Sequence, residues 1–329
     1  MMQPLDGRQY PRFSGIKTFF RLPVLQTQDD FKEANVAILG IPFDGGTSYR
    51  PGARFAPEAI RGISSLGRGY YPESQKSIFR KLRIGDGGDI PVQPQDIAKT
   101  HQNIFAHVFK CLQQNCFPML IGGDHSTTIG SLEAMVQHYG PVGIIHFDAH
   151  TDAYPPAWDC DIHHGTFMRL GHERGWFQKN RVIQIGLRGP CSSEVDFQTV
   201  ENFGYRILTA RDIHVLGIEH AKKIIQSLGS GPIYLSFDVD CLDPAYAPGT
   251  GTPVPGGLSS FQALELIRAA AGLEIRGADI VEVSPPYDLH NLTALVAVTV
   301  MGEILATIAW WLLLLGGFFF VRLCFANGE

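Results

Sequence analysis

Three short segments of this sequence carry side chains that are able to bind metal ions. The segment DAHTD places Asp148, His150 and Asp152 at alternate positions directly after an apolar run. Because alternate side chains of an extended chain share a face, the two carboxylates and the imidazole are expected to point the same way. Such groups repel each other or stay unsatisfied unless a cation lies among them. A polar loop at a strand end would explain a single aspartate, but it does not explain this set.

The other two segments add further ligands. SFDVD places Asp238 and Asp240 on one face at the end of another apolar run, and GGDHS places His125 between two glycines and a helix. Alone, GGDH would be explained by a turn followed by a helix cap, without any metal. Together the segments offer four carboxylates and two histidines, which is too much negative charge for one divalent ion. We therefore predict two divalent ions.

The ligand chemistry narrows the choice of metal. Oxygen-rich ligation with some imidazole and no thiolate favours manganese, iron, cobalt or nickel over structural zinc. Two such ions roughly 3.5–4 Å apart can generate a hydroxide nucleophile at neutral pH.

Apolar β-branched runs alternate with helical stretches along the chain, which predicts an α/β fold. Because the runs are continuously apolar, we expect a mostly parallel sheet of about eight strands in a three-layer α/β/α arrangement. In such sheets ligands bind beyond the carboxyl ends of the strands, where the three segments lie. Thr127, Asp212 and Ser259 lie near helix starts and are candidate caps. The runs are 36–43, 119–123, 142–150, 181–189, 205–208, 233–240 and 278–286, with 82–90 as a candidate edge strand, and the clearest helices are 95–114, 126–138, 211–227 and 259–271.

Composition and charge exclude several classes of protein. The 329 residues are 45% hydrophobic and 18% charged, with a net charge of -5 and no basic run, so nucleic acid is not an expected partner. The 6 cysteines include no CxxC pair, which is typical of reduced thiols. The N-terminus resembles neither a signal nor a transit peptide, so we expect a cytoplasmic protein. We predict one domain over 1–329, with an N-terminal extension (1–30) and an atypical hydrophobic tail (309–329).

The hydrophobic tail leaves three interpretations open. Residues 304–321 carry no charge, and a run of about 18 residues just reaches the length of a membrane span. A buried terminal helix and a subunit contact are the alternatives. We favour burial over a membrane partner, because Gly316 and Gly317 interrupt the run and Arg322 follows it.

Five motifs in order, GGDHS, DAHTD, HGTFMR, SFDVDCLDPAYAPGTGTP and VEVSPPYD, resemble the ureohydrolase superfamily of arginases and agmatinases. The resemblance is closer to agmatinases and related guanidino acid hydrolases, and it runs from PRFSGIKTFFRLP to TALVAVTVMGEIL. It implies a dinuclear metal hydrolase that converts a guanidino compound into urea and an amine. The implied substrates are agmatine (to putrescine), 4-guanidinobutyrate or 3-guanidinopropionate, with free guanidine as an alternative. Two Mn²⁺ ions, or Ni²⁺ instead, and a homo-oligomer (trimer or hexamer) are also implied.

The resemblance further implies a role for each candidate residue. His164 would shuttle protons or stabilise the transition state, and Glu282 would hold the substrate guanidinium. Thr252 would line the same pocket, and Asp152 is placed to relay a proton to the leaving amine. The implied ligands are His125, Asp148, Asp152 and Asp238 for the first ion, and His150, Asp148, Asp238 and Asp240 for the second.

The physical chemistry of Glu282 agrees with its implied role. A guanidinium is planar and always charged, and a carboxylate pairs with it through two parallel hydrogen bonds. An ordinary surface glutamate is the alternative, but Glu282 follows a buried run. His163 is expected to face away from its neighbour His164, and His146 is expected to be a satisfied core histidine. The loop 153–162 departs from the family pattern, and we expect it to border the substrate tail.

Two other classes of function remain. A metal-dependent deacetylase-like amide hydrolase would need one zinc and a different ligand set. A non-catalytic regulatory relative should have lost ligands, and none is missing here. The number of bound ions separates these classes: two for the ureohydrolase, one for the deacetylase and none for the regulator.

Overall fold

The protein is described by a computed structural model. It covers residues 2–73, 75–191 and 193–325, with side chains in the last helix up to residue 309. The strands are β1 (Val36–Gly40), β2 (Tyr70–Tyr71), β3 (Lys76–Ser77), β4 (Ile84–Asp89), β5 (Phe117–Ile121), β6 (Val142–Phe147), β7 (Phe177–Ile185), β8 (Arg206–Leu208), β9 (Ile233–Asp238) and β10 (Ile275–Val281). The α-helices are α1 (Gln28–Glu33), α2 (Ala56–Ile63), α3 (Ile78–Lys81), α4 (Ile97–Gln113), α5 (Thr128–Tyr139), α6 (Phe167–Glu173), α7 (Glu194–Asn202), α8 (Ala210–Leu216), α9 (Ile218–Gln226), α10 (Ser260–Ala269) and α11 (Leu292–Phe325).

The main sheet has 8 strands in the order β4-β1-β5-β10-β9-β6-β7-β8. Every neighbouring pair in it is parallel. The predicted edge strand is β4, which lies at one end of this order. The predicted α/β fold with a mostly parallel sheet is confirmed. A separate antiparallel hairpin joins β2 and β3.

Two hydrophobic cores lie on opposite faces of the sheet. In β1, Val36 and Ile38 belong to one core, whereas Ala37 and Leu39 belong to the other. This alternation follows from the two-residue period of a strand, and it explains why the strands are continuously apolar. Helices α2, α9, α10 and α11 contribute to the first core, and α4, α5 and α6 contribute to the second. The result is the predicted three-layer arrangement.

One predicted helix is two helices in the structure. The stretch 211–227 is divided at Gly217 into α8 and α9. Gly217 has a φ of 84°, a left-handed conformation that glycine adopts without the steric cost of a side chain. The periodicity was correct on both sides of this residue, but a helix cannot continue through it.

The predicted caps are only partly correct. Ser259 accepts a hydrogen bond from the Gln262 N–H and caps α10, as predicted. At α8 the cap is Thr209, and Asp212 is the third helical residue that accepts from the Thr209 N–H. Thr127 accepts no capping hydrogen bond, and its hydroxyl donates to the Asp124 carbonyl.

Helix α11 contains the apolar stretch that raised the membrane question. The segment Leu292–Ala309 is long and apolar enough to cross a membrane, but 78% of it is buried inside the molecule. A core helix passes the same test of length and composition, and burial identifies this part of α11 as a core helix. The burial predicted for residues 310–321 concerns side chains outside the described part of the chain.

Candidate metal centre and substrate pocket

Four neighbouring strands bring the candidate residues to one edge of the sheet. β5, β10, β9 and β6 are adjacent in the sheet order. Asp148 follows β6, Asp238 ends β9, and Glu282 follows β10. After β5 the chain passes Gly123, where a side chain would lie 1.5 Å from the Phe43 carbonyl oxygen. Glycine at this position therefore allows the close approach that places the following His125 in the site.

The first cluster surrounds the imidazole of His125. Its Nδ1 lies 3.0 Å from Asp148 Oδ2, 3.0 Å from Asp152 Oδ2 and 3.2 Å from Asp238 Oδ2. His125 is buried with these carboxylates. Four potential ligand atoms thus converge on one small volume from three different strand ends.

The second cluster surrounds His150. Its Nδ1 lies 3.1 Å from Asp240 Oδ2 and 3.4 Å from Asp148 Oδ1. Asp148 therefore faces His125 with one carboxylate oxygen and His150 with the other. This geometry suits a carboxylate shared between two neighbouring cation sites.

The residues present fit divalent cations. His125 Nδ1 and Asp152 Oδ2 are buried and make no hydrogen bond, which is costly for polar atoms without another partner. Burial and the neighbouring Asp240 and Asp148 raise the pKa of Asp238 well above its ordinary range, because adjacent buried carboxylates repel each other. Cations among these oxygens remove both costs. The chemistry is that of a metal centre rather than a hydrogen-bonded core.

A buried chain of hydrogen bonds fixes the ring of His125. The Ser236 hydroxyl donates to Asp279 Oδ1 at 2.7 Å, and His125 Nε2 lies 2.8 Å from the same hydroxyl oxygen. Since this hydroxyl proton is engaged with Asp279, His125 donates its Nε2–H to the Ser236 oxygen. The lone pair of Nδ1 then points to the three carboxylates, as a metal ligand requires.

The buried Glu282 and the part-buried His164 form a pair beside the metal cluster. Glu282 Oε1 accepts from the backbone N–H of His125 at 2.9 Å and lies 2.9 Å from His164 Nδ1. The other ring nitrogen of His164 lies 2.7 Å from the Ser48 hydroxyl. Burial lowers the pKa of His164, but the charge and hydrogen bond of Glu282 outweigh burial and raise this pKa to about 9.

Two of the candidate residues have a left-handed backbone. Asp152 has a φ of 47° and Glu282 has a φ of 63°. Non-glycine residues in this region cost of order 1–3 kcal/mol each and cluster at functional sites. The two carboxylates are thus held in place against a local preference.

His146 is buried and hydrogen-bonded, with Nε2 2.9 Å from Asp148 Oδ2 and Nδ1 3.0 Å from Gln184 Nε2. It also belongs to a group of side chains that are able to hold a metal ion together with His125, Asp148 and Asp152. The expectation of a satisfied core histidine did not include this contact with Asp148. The hydrogen bond from His146 therefore helps to orient the Asp148 carboxylate.

A cavity of about 410 Å³ opens above these clusters. His164, Thr252 and Glu282 line it together with the metal cluster. The loop 153–162 forms its outer wall with the part-buried Tyr154 and with Trp158, which is 72% exposed.

The structure brings together every candidate residue, and the roles predicted for them remain predictions. His163 makes different contacts from its neighbour His164. Its Nδ1 accepts from the backbone N–H of Gly165, and its Nε2 lies 3.1 Å from the Pro155 carbonyl oxygen. Sequence reasoning assigned no role to three residues that contact His125 or His164 directly or through one hydrogen bond, namely Ser236, Asp279 and Ser48. Ser236 lies inside the motif SFDVD, but Asp279 and Ser48 carried no local signal, because their partners lie far away in sequence.

The sequence profile described as the Arginase family matches residues 34–307, and the chain belongs to this family. It is 41% identical to a guanidinopropionase of Pseudomonas aeruginosa, over 93% of this chain and 96% of that protein. It is 39% identical to a mitochondrial agmatinase of Gallus gallus, over 89% of this chain and 86% of that protein. Among solved structures it resembles proclavaminate amidino hydrolase from Streptomyces clavuligerus, with a TM-score of 0.85, 39% identity, and coverage of 91% of this chain and 99% of that one.

Proposed function

We propose that this protein is a dinuclear metal hydrolase that cleaves a guanidino compound into urea and an amine. The observation that carries the proposal is the pair of clusters joined by Asp148 in the same cavity as Glu282. A dinuclear centre next to a buried carboxylate suits a substrate that is both cationic and resistant to attack. Membership of the Arginase family supports the same reaction class.

Glu282 is the proposed receptor for the guanidinium group. Its Oε1 already accepts from the His125 N–H and contacts His164. Its Oε2 makes no hydrogen bond within the described part of the chain and faces Gly251, where an added Cβ would lie 3.7 Å away. Glu282 lines the cavity, so Oε2 is free to accept a guanidinium N–H.

The metal ions and the neighbouring side chains divide the chemistry. When bound, the two ions lower the pKa of a water and supply a hydroxide nucleophile at neutral pH. The proposed ligands are His125, Asp148, Asp152 and Asp238 for one ion, and His150, Asp148, Asp238 and Asp240 for the other. Mn²⁺ is the proposed metal, with Ni²⁺ as the alternative.

Proton transfer to the leaving amine falls to the side chains beside the cluster. His164 is held between Glu282 and Ser48, and the charge and hydrogen bond of Glu282 raise the pKa of His164 and favour its protonated ring. A protonated imidazole is able to donate a proton to a departing nitrogen or stabilise negative charge as it develops. Asp152 is the alternative relay, since it lines the same cavity.

The cavity wall and the relatives point to different substrate tails. No lysine or arginine lines the described cavity. Besides Glu282 and the aspartates of the metal cluster, its lining includes one more acidic side chain, Asp196. That lining favours the ammonium tail of agmatine. The names guanidinopropionase and guanidinobutyrase belong to relatives at 41% and 38% identity, and they favour a carboxylate tail. Both kinds of tail therefore belong in the test.

The test is urea release from agmatine, 4-guanidinobutyrate, 3-guanidinopropionate, arginine and guanidine. The purified protein is stripped of metal and reloaded separately with Mn²⁺ or Ni²⁺, and bound metal is counted for each preparation. Glu282→Gln is the matched variant, because it retains the shape of the side chain and removes the charge. Urea release from one substrate, with two ions bound and with loss of activity in Glu282→Gln, is the expected result.

Other outcomes separate the alternatives. Two bound ions without urea from any substrate would refute guanidino hydrolysis and favour another C–N bond. One bound ion would favour the deacetylase-like alternative, and none would favour a regulatory protein. We also propose a single domain over 1–329, a homo-oligomer and a cytoplasmic location.

A further inference from the structure

A second cavity lies beside the N-terminal segment. It measures about 410 Å³ and is formed by residues 4–8, Arg12, residues 20–21, Ser65, residues 67–69 and Phe79. It shares no lining residue with the substrate cavity. Four arginines line it, Arg8, Arg12, Arg21 and Arg68, against a single carboxylate, Asp6.

Arg21 is the buried member of this group. Only 6% of it is exposed, and its Nη1 donates to the Tyr10 carbonyl at 2.9 Å. Its Nη2 is also buried and has no hydrogen-bond partner. A guanidinium cannot avoid this situation by losing its proton, because its pKa lies too high. Burying a charged donor without a partner is strongly unfavourable, so Arg21 would be stabilised by a nearby acceptor or negative charge.

The other three arginines leave the positive charge unbalanced. In the described part of the chain, none of the four forms a salt bridge with an aspartate or glutamate. Asp6 uses its Oδ1 to accept from the Arg8 backbone N–H at 2.9 Å. Several guanidiniums around a partly enclosed space attract an anion and strengthen its hydrogen bonds.

Packed aromatic rings and glycines shape the cavity wall. Phe20 and Phe79 contact each other edge to face with ring centroids 5.5 Å apart. A side chain at Gly67 would come within 2.4 Å of the Phe20 ring, and one at Gly69 within 2.2 Å of the Phe79 ring. The wall of the cavity formed by Gly67, Gly69 and the two rings is therefore tightly packed.

We propose that this arginine cavity (Arg8, Arg12, Arg21 and Arg68) binds a small oxyanion, either phosphate or a carboxylate. The planar fork of a guanidinium matches the paired oxygens of both groups. Arg21 supplies a buried positive charge at the cavity wall, and the three outer arginines supply further donors and charge. The site is separate from the proposed chemistry, so its test does not depend on urea release.

The experiment uses the full-length, metal-loaded protein and two probes, inorganic phosphate and malonate. Binding is measured by calorimetry and by the shift in Tm, with chloride added to hold ionic strength constant. We expect saturable binding of one probe and a rise in Tm. Arg68→Gln removes an exposed arginine and should weaken binding about tenfold, whereas Arg21→Met should weaken it further.

Arg80→Gln is the matched control. Arg80 is exposed on α3 next to Phe79 and does not line the cavity, so it should bind the probe as the wild type does. If Arg21→Met fails to fold, Arg68→Gln still decides the question. Equal binding by wild type and Arg68→Gln would place the anion elsewhere, such as at the metal ions, and would overturn the proposal. Absence of saturable binding by the wild type would overturn it too. If the wild type binds no anion and Arg68→Gln changes the oligomeric state, the arginines serve a subunit contact instead.

Discussion

Replacing Ser236 with alanine should weaken metal binding without touching a proposed ligand. The Ser236 hydroxyl links Asp279 Oδ1 at 2.7 Å to His125 Nε2 at 2.8 Å, and all three side chains are buried. Without it, His125 loses the acceptor that fixes its tautomer and the direction of its Nδ1 lone pair. The structure shows no second acceptor for Nε2 among the hydrogen bonds of His125.

The expected magnitudes follow from these two contacts. Loss of an outer partner of a metal-binding histidine typically reduces metal affinity 10–100-fold, and we expect an effect of about that size. Folding stability should fall by about 1–3 kcal/mol, because a buried acceptor on Asp279 and a buried donor on His125 lose their partner. At saturating metal, kcat should change little, since every proposed ligand is still present.

Thr128→Val provides the matched control. The Thr128 hydroxyl donates to Asp279 Oδ2 at 2.7 Å, so this variant removes a buried hydrogen bond from the same aspartate without altering His125. Metal affinity is measured by competition with a chelator, and stability by denaturation of the metal-free protein. Similar destabilisation in both variants, with weaker metal binding in Ser236→Ala alone, supports the reasoning. Equal metal affinity in both variants would refute it.

Three further predictions concern the centre and a distant histidine. Asp148→Asn should abolish urea release and lower the bound-metal count, because Asp148 contacts both His125 and His150; near-normal activity would contradict the dinuclear model. Glu282→Gln should leave the metal count unchanged, raise KM and lower kcat, with a loss in kcat/KM of about a hundredfold from the missing charge; unchanged kinetics would remove Glu282 from the site. Burial, and then the charge of Arg174, lower the pKa of His101 to about 4 from 6.5, so folding stability should be complete above pH 6.5 and fall by up to about 3 kcal/mol as the pH drops from 6.5 to 4. His101→Leu should flatten this dependence in pH-dependent denaturation, whereas the exposed His107→Leu on the same helix should not.

The sequence predicted where the candidate metal ligands lie because most of them directly follow or end a strand. Asp148, His150 and Asp152 occupy consecutive alternate positions, so their shared direction is a local property of the chain. The same is true of Asp238 and Asp240. The sheet then needed only to be parallel for these ends to meet at one edge.

The residues that sequence reasoning missed act across long separations. Asp279 reaches Ser236 across 43 residues, and Ser48 reaches His164 across 116. The pattern of apolar and polar residues along the chain does not predict such contacts, because they depend on the order of strands in the sheet. The division of the helix at Gly217 was missed for a different reason, since a single glycine is often tolerated inside a helical pattern.

The metal centre combines several features that oppose folding of the metal-free chain. Asp152 and Glu282 adopt left-handed backbone conformations, Asp238 lies among buried carboxylates, and His125 Nδ1 has no hydrogen-bond partner. The apolar strands on both sides of the sheet hold these groups together although each carries a local cost. Metal ions remove the repulsion and satisfy the unpaired atoms, so part of the free energy of metal binding offsets a cost already present in the fold. For this reason the centre is preorganised for cations, and Glu282 is held beside it as a fixed charge before any substrate arrives.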